Sequence, residues 1–308
     1  MPVIENRSES DRIEKLKNRM IYYNYLSKNI VQSGSDTSHQ DSSRIPVLLG
    51  SIGTPCYVIS TASIPPPLIT ADLLIHFEAN NSTSYSGSGT TWINIGTGGT
   101  TYNATLSGGT LPTFVNGSIK SFLFTRNLLT TGTSYLSYNY MSFLRANAIS
   151  DDFTWCAWIN TTQVGNGLNH YQLMYIVSTE TGDVNDDFGF GIDMNGKLSY
   201  GDGKTGGTDI TLRSSQSVNT GVWTFVAVTR KKSTGAVVLY INGVADTSGT
   251  CNSGNTLSTA TYVLIGTETD FPGYTFGGNI GAVLGNTSVL TGAQILQNFN
   301  AKRAIYGV

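Results

Sequence analysis

The chain has 308 residues and a net charge of −2, which argues against wholesale nucleic-acid binding, since that requires a basic field. Charged residues make up only 12%, while glycine fills 35 positions and aromatics 10%. This composition suits sheets and turns and is too aromatic for a disordered chain. No apolar run approaches the roughly 18 residues that cross a bilayer, so no membrane span is expected.

The first predicted element is a helix at about residues 9–30. Ser10 is its N-cap, and Asp11 and Glu14 in the first turn suit the helix dipole. Ile13, Leu16, Met20 and Tyr23 recur at spacings of three and four and form one apolar stripe, the candidate partner-binding residues. Two readings fit: a helix folded back on its own domain, or an arm that docks on another subunit. The arm is preferred because residues 32–43, with no apolar side chain, isolate it as a polar tether. Two short apolar pieces at 45–50 and 56–60 need a surface to lie against. Pro65, Pro66 and Pro67 then stiffen the chain into an extended strut. Residues 1–67 are accordingly an N-terminal arm, helical then extended, and 68–308 a separate unit. The first twenty residues lack the apolar core of a signal peptide.

From Leu73 onward the chain reads as strands broken by Gly, Ser, Thr and Asn turns. Strands are expected at 73–79, 92–95, 104–106, 119–124, 135–138, 171–178, 188–193, 197–200, 262–266 and 278–284. The strongest signals lie between 151 and 243. In 153–159, Phe153, Trp155, Ala157 and Ile159 share one face, and in 223–229 Trp223, Phe225, Ala227 and Thr229 do. In 237–243, Val237, Leu239 and Ile241 oppose Tyr240 and Asn242. Residues 231–236 read as the hairpin loop between the last two runs, so Arg230, Lys231 and Lys232 are expected to be solvated. A final helix starts near Thr291, which stands at capping-box spacing from Gln294, with Ile295, Leu296 and Phe299 on its buried side.

The runs FTWCAWI, GVWTFVAVTR and GAVVLYINGV, followed by FGGNIGAVLGNTSVLTGAQILQNFNAKRAIYG, resemble a laminin-G/concanavalin A-like jelly roll over roughly residues 68–308. The segment from Leu73 to Gly109 is similar to the opening of that domain in phage and large-DNA-virus proteins. The resemblance implies an all-β sandwich with a short C-terminal helix. The same sandwich hosts lectins, glycanases, adhesins and inert structural modules, so it does not by itself choose a function.

Three cysteines, Cys56, Cys156 and Cys251, cannot all pair, and their sparse use suits a reducing compartment. Asn103-Ala-Thr105 and Asn160-Thr-Thr162 have the glycosylation pattern, which arises by chance in a chain rich in Asn and Thr. Glycoside hydrolysis usually needs two carboxyl groups at fixed separation, yet Glu78, Glu180 and Glu268 each stand alone in sequence. Glu78 reads as a solvated rim residue. His39, His76 and His170 follow no metal-ligand spacing, and no nucleophile elbow or Walker loop occurs. No catalytic or cofactor-binding residue is therefore expected. The one acidic cluster, with Asp183, Asn185 and Asp187, is a calcium candidate that lacks the EF-hand pattern, the alternative being a hydrogen-bonded turn. Tyr274 and Phe276 are candidates for a sugar-stacking platform or for capping the sandwich edge.

These features point first to a non-enzymatic virion protein, minor or capsid-associated, assembled in the host cytoplasm and fastened to other capsid proteins by its arm. A carbohydrate-binding or adhesion module on a virus or phage surface is the alternative, and a glycoside hydrolase a third.

Overall fold

The computed structural model describes residues 64–126, 139–268 and 274–308. Their strands, numbered in chain order, form two antiparallel sheets. The first runs β14 (Val244–Thr250), β13 (Ala236–Ile241), β12 (Thr224–Lys231), β7 (Phe153–Asn160), β16 (Gly278–Asn286), β5 (Lys120–Phe124), β4 (Thr113–Asn116). Along the edge of β16 away from β7, its first residues pair with β5 and its last with β1 (Leu73–Glu78). The second sheet runs β11 (Ile210–Ser217), β10 (Lys197–Asp202), β9 (Phe188–Ile192), β8 (Met174–Ser178), β15 (Tyr262–Ile265), β6 (Asn139–Leu144), β3 (Ala104–Gly108), β2 (Thr91–Trp92). This is the all-β sandwich that the alternation predicts.

Strand β7 shows how the layers are built. Its odd-numbered residues, Phe153, Trp155, Ala157 and Ile159, enter the filling between the sheets with Phe77, Trp92, Phe122, Phe143 and Phe188. Its even-numbered Cys156 and Trp158 enter a second apolar layer on the outer side of the same sheet. There helix α1 (Gly292–Lys302) and the residues after it cover the sheet. Trp158 stacks on Tyr306 at 4.2 Å between centroids and 9° between planes, and also meets Phe299 and Phe225. The helix is held at its start by the capping box between Thr291 and Gln294. So β7, β12 and β16 are buried on both faces, which is why their outward positions are apolar rather than charged.

Several expectations are corrected. Leu296 is 42% exposed, while Ile295 and Phe299 are buried as expected. The strand expected from Tyr171 begins at Met174, after a short 3-10 turn at His170–Gln172. Strands β4, β6, β11 and β14 were not anticipated. β11 and β14 bury almost no side chain, so the apolar alternation that marks a strand is missing from them. In β6 the buried set is Asn139, Met141 and Phe143, one of the three polar. Cys156 and Cys251 are buried free thiols, and burial pushes both far above the usual thiol range.

Glu78 is not a rim residue: it is 1% exposed, accepts a hydrogen bond from the Tyr306 hydroxyl at 3.0 Å and pairs with Lys302 at 3.2 Å. His76, two residues earlier on β1, has its imidazole pKa lowered to about 4, chiefly by burial and then by Lys302.

Arg230 is likewise no solvated turn residue. It is fully buried, and its Nε lies 3.1 Å from Asp202 on β10 of the opposite sheet. Its other nitrogens donate to the carbonyls of Asp151, Asn252 and Asn255 and to the Asn255 amide oxygen. Asp202 in turn accepts from Tyr200 Oη at 3.0 Å and from Asn252 N at 2.9 Å. Lys231 and Lys232 pair with Asp152 and Asp151 at the surface.

Two outcomes follow. Replacing Arg230 by Met strands Asp202 in the interior and should cost about 3–5 kcal/mol in urea unfolding. Adding Asp202→Leu should recover a large part of that loss, and a double variant no more stable than the single one would contradict the assignment. The imidazole of His76 resists protonation in the fold, whereas the unfolded chain takes up a proton near pH 6.5. Its contribution is present above pH 6.5 and fades as pH falls towards 4. His76→Gln should flatten the decline in stability over that interval, and an unchanged slope would refute the effect.

Candidate functional site

The ends of three strands of the first sheet and the loop before β12 meet around an open groove of about 470 Å³, within the usual size of small-ligand sites. Thr125 and Arg126 follow β5, Asn160 ends β7, Thr162 and Gln163 continue from it, and Asn279 lies at the start of β16. The strands fix the depth of the groove, and their polar ends and the segments after them supply its chemistry. Asn160 donates its amide nitrogen to Gly221 O at 3.0 Å. Asn279 accepts from Ser121 Oγ at 3.1 Å. The amide oxygen of Asn160 and the amide nitrogen of Asn279 make no hydrogen bond among the described residues. Arg126 donates to Val164 O and Asn166 Oδ1, which pins the wall formed by the segment after β7. Burial lowers its pKa from the usual arginine value. Asp and Glu are absent from the lining among the described residues.

A second group of polar side chains lies beneath the outer face of the other sheet. In β9 the residues Phe188, Phe190 and Ile192 fill the core, and Gly189 and Gly191 alternate with them. A Cβ on Gly189 would sit 2.7 Å from Tyr175 Cε1 and 2.8 Å from His170 O. The glycine therefore lets the 3-10 turn settle onto the sheet. His170 Nε2 lies 2.9 Å from Glu180 Oε2, and Asp187 joins them, with one ligand-type atom from each residue within 4.8 Å of the others. All three residues are 1% exposed. Burial acts to lower the His170 pKa, but Glu180, Asp209 and Asp187 together outweigh it and the net shift is upward. Burial, followed by Glu180, raises Asp187 to about 7. Burial is also the main cause that holds the Tyr175 phenol neutral far above its ordinary range.

The fold thus joins Asp187, one of the calcium candidates, to His170 and Glu180, which sequence reading left as isolated residues. The alternating glycines of FGFGI were the available signal, marking a strand against which something packs closely. Of the calcium candidates, Asp183 is exposed in the left-handed backbone region at φ 56°, Asn185 is half-buried, and only Asp187 turns inward. Asn185 gives its side-chain nitrogen to Gly182 O at 2.6 Å. Phe276 is fully buried edge-on against Phe124, so it caps the core and offers no sugar platform. Tyr274 is half-buried, its phenol pKa raised by burial, then by Glu268 and Tyr171. The groove residues Asn160, Gln163 and Asn279 carried no signal beyond being polar residues near strand ends. The partner candidates Ile13, Leu16, Met20 and Tyr23 lie outside the described residues, as does the strand expected at 135–138. Among the described residues no helix is long and apolar enough to cross a membrane.

Two stacked antiparallel sheets around one apolar filling define a concanavalin A-like β-sandwich. The chain belongs to the concanavalin A-like lectin/glucanases superfamily, laminin-G type, whose family model matches residues 130–296, more than half of the 308. No curated protein matches it. Among solved structures, domain 4 of the extracellular arabinanase AbnA from Geobacillus stearothermophilus, in complex with arabinotriose, superposes with a TM-score of 0.51 at 18% identity. That match covers 74% of this chain and 98% of the other. The binding domain of botulinum neurotoxin DC in complex with SialylT gives 0.52 at 12% identity over 75% of this chain and 51% of that one. The binding domain of paraclostridial mosquitocidal protein 1 gives 0.51 at 13% over 75% and 52%. The chain spans about half the length of these toxin domains. At such identities the likeness is one of fold.

Proposed function

We propose that this sandwich is a carbohydrate-binding module that holds a neutral oligosaccharide in the groove at the ends of β5, β7 and β16 and does not cleave it. The observation that carries this reading is the lining: side-chain amides and hydroxyls from Asn160, Thr162, Gln163 and Asn279 beside one guanidinium, without a carboxylate among the described residues. Amides and hydroxyls are the donors and acceptors that match sugar hydroxyls. Cleavage usually needs two carboxyl groups at the scissile bond, and Glu180 and Asp187, which do come together, are buried away from any polymer. The arabinotriose-bound arabinanase domain and the SialylT-bound toxin domain give the reading its support from relatives of the fold.

A second reading keeps the sandwich as a capsid-associated brick. Its support is the apolar stripe of Ile13, Leu16, Met20 and Tyr23 followed by the polar tract at 32–43. It expects deletion of residues 1–67 to abolish incorporation into particles while leaving any glycan binding intact, and normal incorporation of the truncated protein would end it.

The glycan reading is tested on an array of neutral oligosaccharides, followed by titration calorimetry with the best binder. Replacing Asn160, Gln163 and Asn279 together by Ala should weaken binding about tenfold or more, each lost hydrogen bond being worth roughly 0.5–1.5 kcal/mol. Unfolding temperature serves as the control. A protein that captures no glycan, or a triple variant that binds as before, would overturn the reading.

A further inference from the structure

We infer that His170, Glu180 and Asp187, with Asp209 beside them, form a binding site for one first-row divalent cation of the manganese or zinc class. The three core donors come from separate segments: His170 from the 3-10 turn, and Glu180 and Asp187 from the two ends of the β8–β9 connection. Since no two of the three atoms are more than 4.8 Å apart, a point exists within about 2.8 Å of all of them. A bound ion sits about 2.0–2.2 Å from such donors, so the site closes on it with shifts of well under an ångström.

Observations independent of this cluster geometry also point to a ligand. The Tyr175 hydroxyl is fully buried, has no hydrogen-bond partner among the described residues, and lies close enough to Glu180, Glu268 and Asp187 for their charges to act on it. Asp187 Oδ2 is occupied by Thr181 N and Oγ1, whereas Asp187 Oδ1 and Asp209 Oδ1 are buried without partners among the described residues. A Cβ on Gly203 would lie 3.2 Å from Asp187 Oδ1, 3.0 Å from Asp209 Oδ1 and 2.2 Å from Asn185 O. Three oxygens therefore converge on a place that only glycine leaves clear. Buried polar atoms in folded proteins are normally satisfied, and those that are not call for an explanation such as an ion.

Charge completes the argument. Among the described residues, the His170 imidazole is the cationic group that acts on Asp187 and Asp209, which share the site with Glu180. A divalent cation supplies the missing positive charge and satisfies the orphan oxygens together. The imidazole decides the class of ion: nitrogen with carboxylate oxygen suits manganese or zinc, whereas calcium and magnesium prefer oxygen alone. The site would fasten the 3-10 turn and the β8–β9 and β10–β11 connections to one centre, and it is independent of whether the groove binds a glycan.

The test uses the full chain, stripped with EDTA and titrated separately with manganese, zinc and calcium chlorides. One manganese or zinc ion per chain is expected, and pulsed EPR of the bound manganese should show one directly coordinated nitrogen. His170→Gln and Asp187→Asn should each weaken binding by about 100-fold or more, since even outer partners of metal ligands change affinity 10–100-fold. Circular dichroism checks that each variant folds. Should His170→Gln fail to fold, the nitrogen coupling in the unaltered protein and the Asp187→Asn titration decide. Absence of the nitrogen coupling, binding that survives either folded variant, or binding of calcium alone (the outcome of a loop site built on Asp183, Asn185 and Asp187) would each overturn the assignment.

Discussion

The ion pair between Arg230 and Asp202 is the constraint on which the sandwich turns. It joins the last turn-side residues of β12 in one sheet to the end of β10 in the other, through the interior, with neither side chain exposed. Removing two charges from water is expensive, and their attraction offsets it only when the remaining donors and acceptors are also met. Here Asp151, Asn252 and Asn255 serve the guanidinium, and Tyr200 and Asn252 serve the carboxylate. Because those partners lie on the β6–β7 and β14–β15 connections, the pair sets how the two layers and their loops meet at this end. An apolar contact could hold the sheets together but would tolerate sliding, while this network admits one register.

At the opposite end of β7 the physics differs. The polar groups there are amides, hydroxyls and the Arg126 guanidinium around an open groove, and a cluster of buried carboxylates lies instead under the neighbouring sheet. This division keeps strong carboxylate chemistry out of reach of large ligands and leaves the accessible surface to weak, reversible hydrogen bonding.

Much of the fold was legible because its signals are local. The alternation in Phe153–Asn160, the hairpin after Lys231 and the capping box at Thr291 each lie within a few residues, and each is realised. What misled were residues whose partners are remote. Glu78 looks like a strand-end carboxylate until Tyr306 and Lys302 arrive from the far end of the chain. Arg230 opens a basic triplet beside a turn, and nothing nearby reveals Asp202. The candidate sites were less legible still. Asn160 was readable only as part of a glycosylation pattern, and His170, Glu180 and Asp187 acquire meaning only once β8, β9 and β10 lie side by side. Edge strands such as β11 escaped because only Ile210 and Leu212 lean on the core, and the mostly polar, half-exposed remainder erases the pattern.

The pairing of β1 with β16 carries one more consequence. Leu73 lies opposite Asn286, so the first and last strands of the domain are hydrogen-bonded neighbours, and Ile69 N donates to Asn298 of the closing helix. During synthesis the first sheet must wait with an unfilled edge until β16 has left the ribosome. Folding is then a late, single event governed by long-range closure, and a nascent chain stopped short of residue 286 would expose sticky strand edges to chaperones.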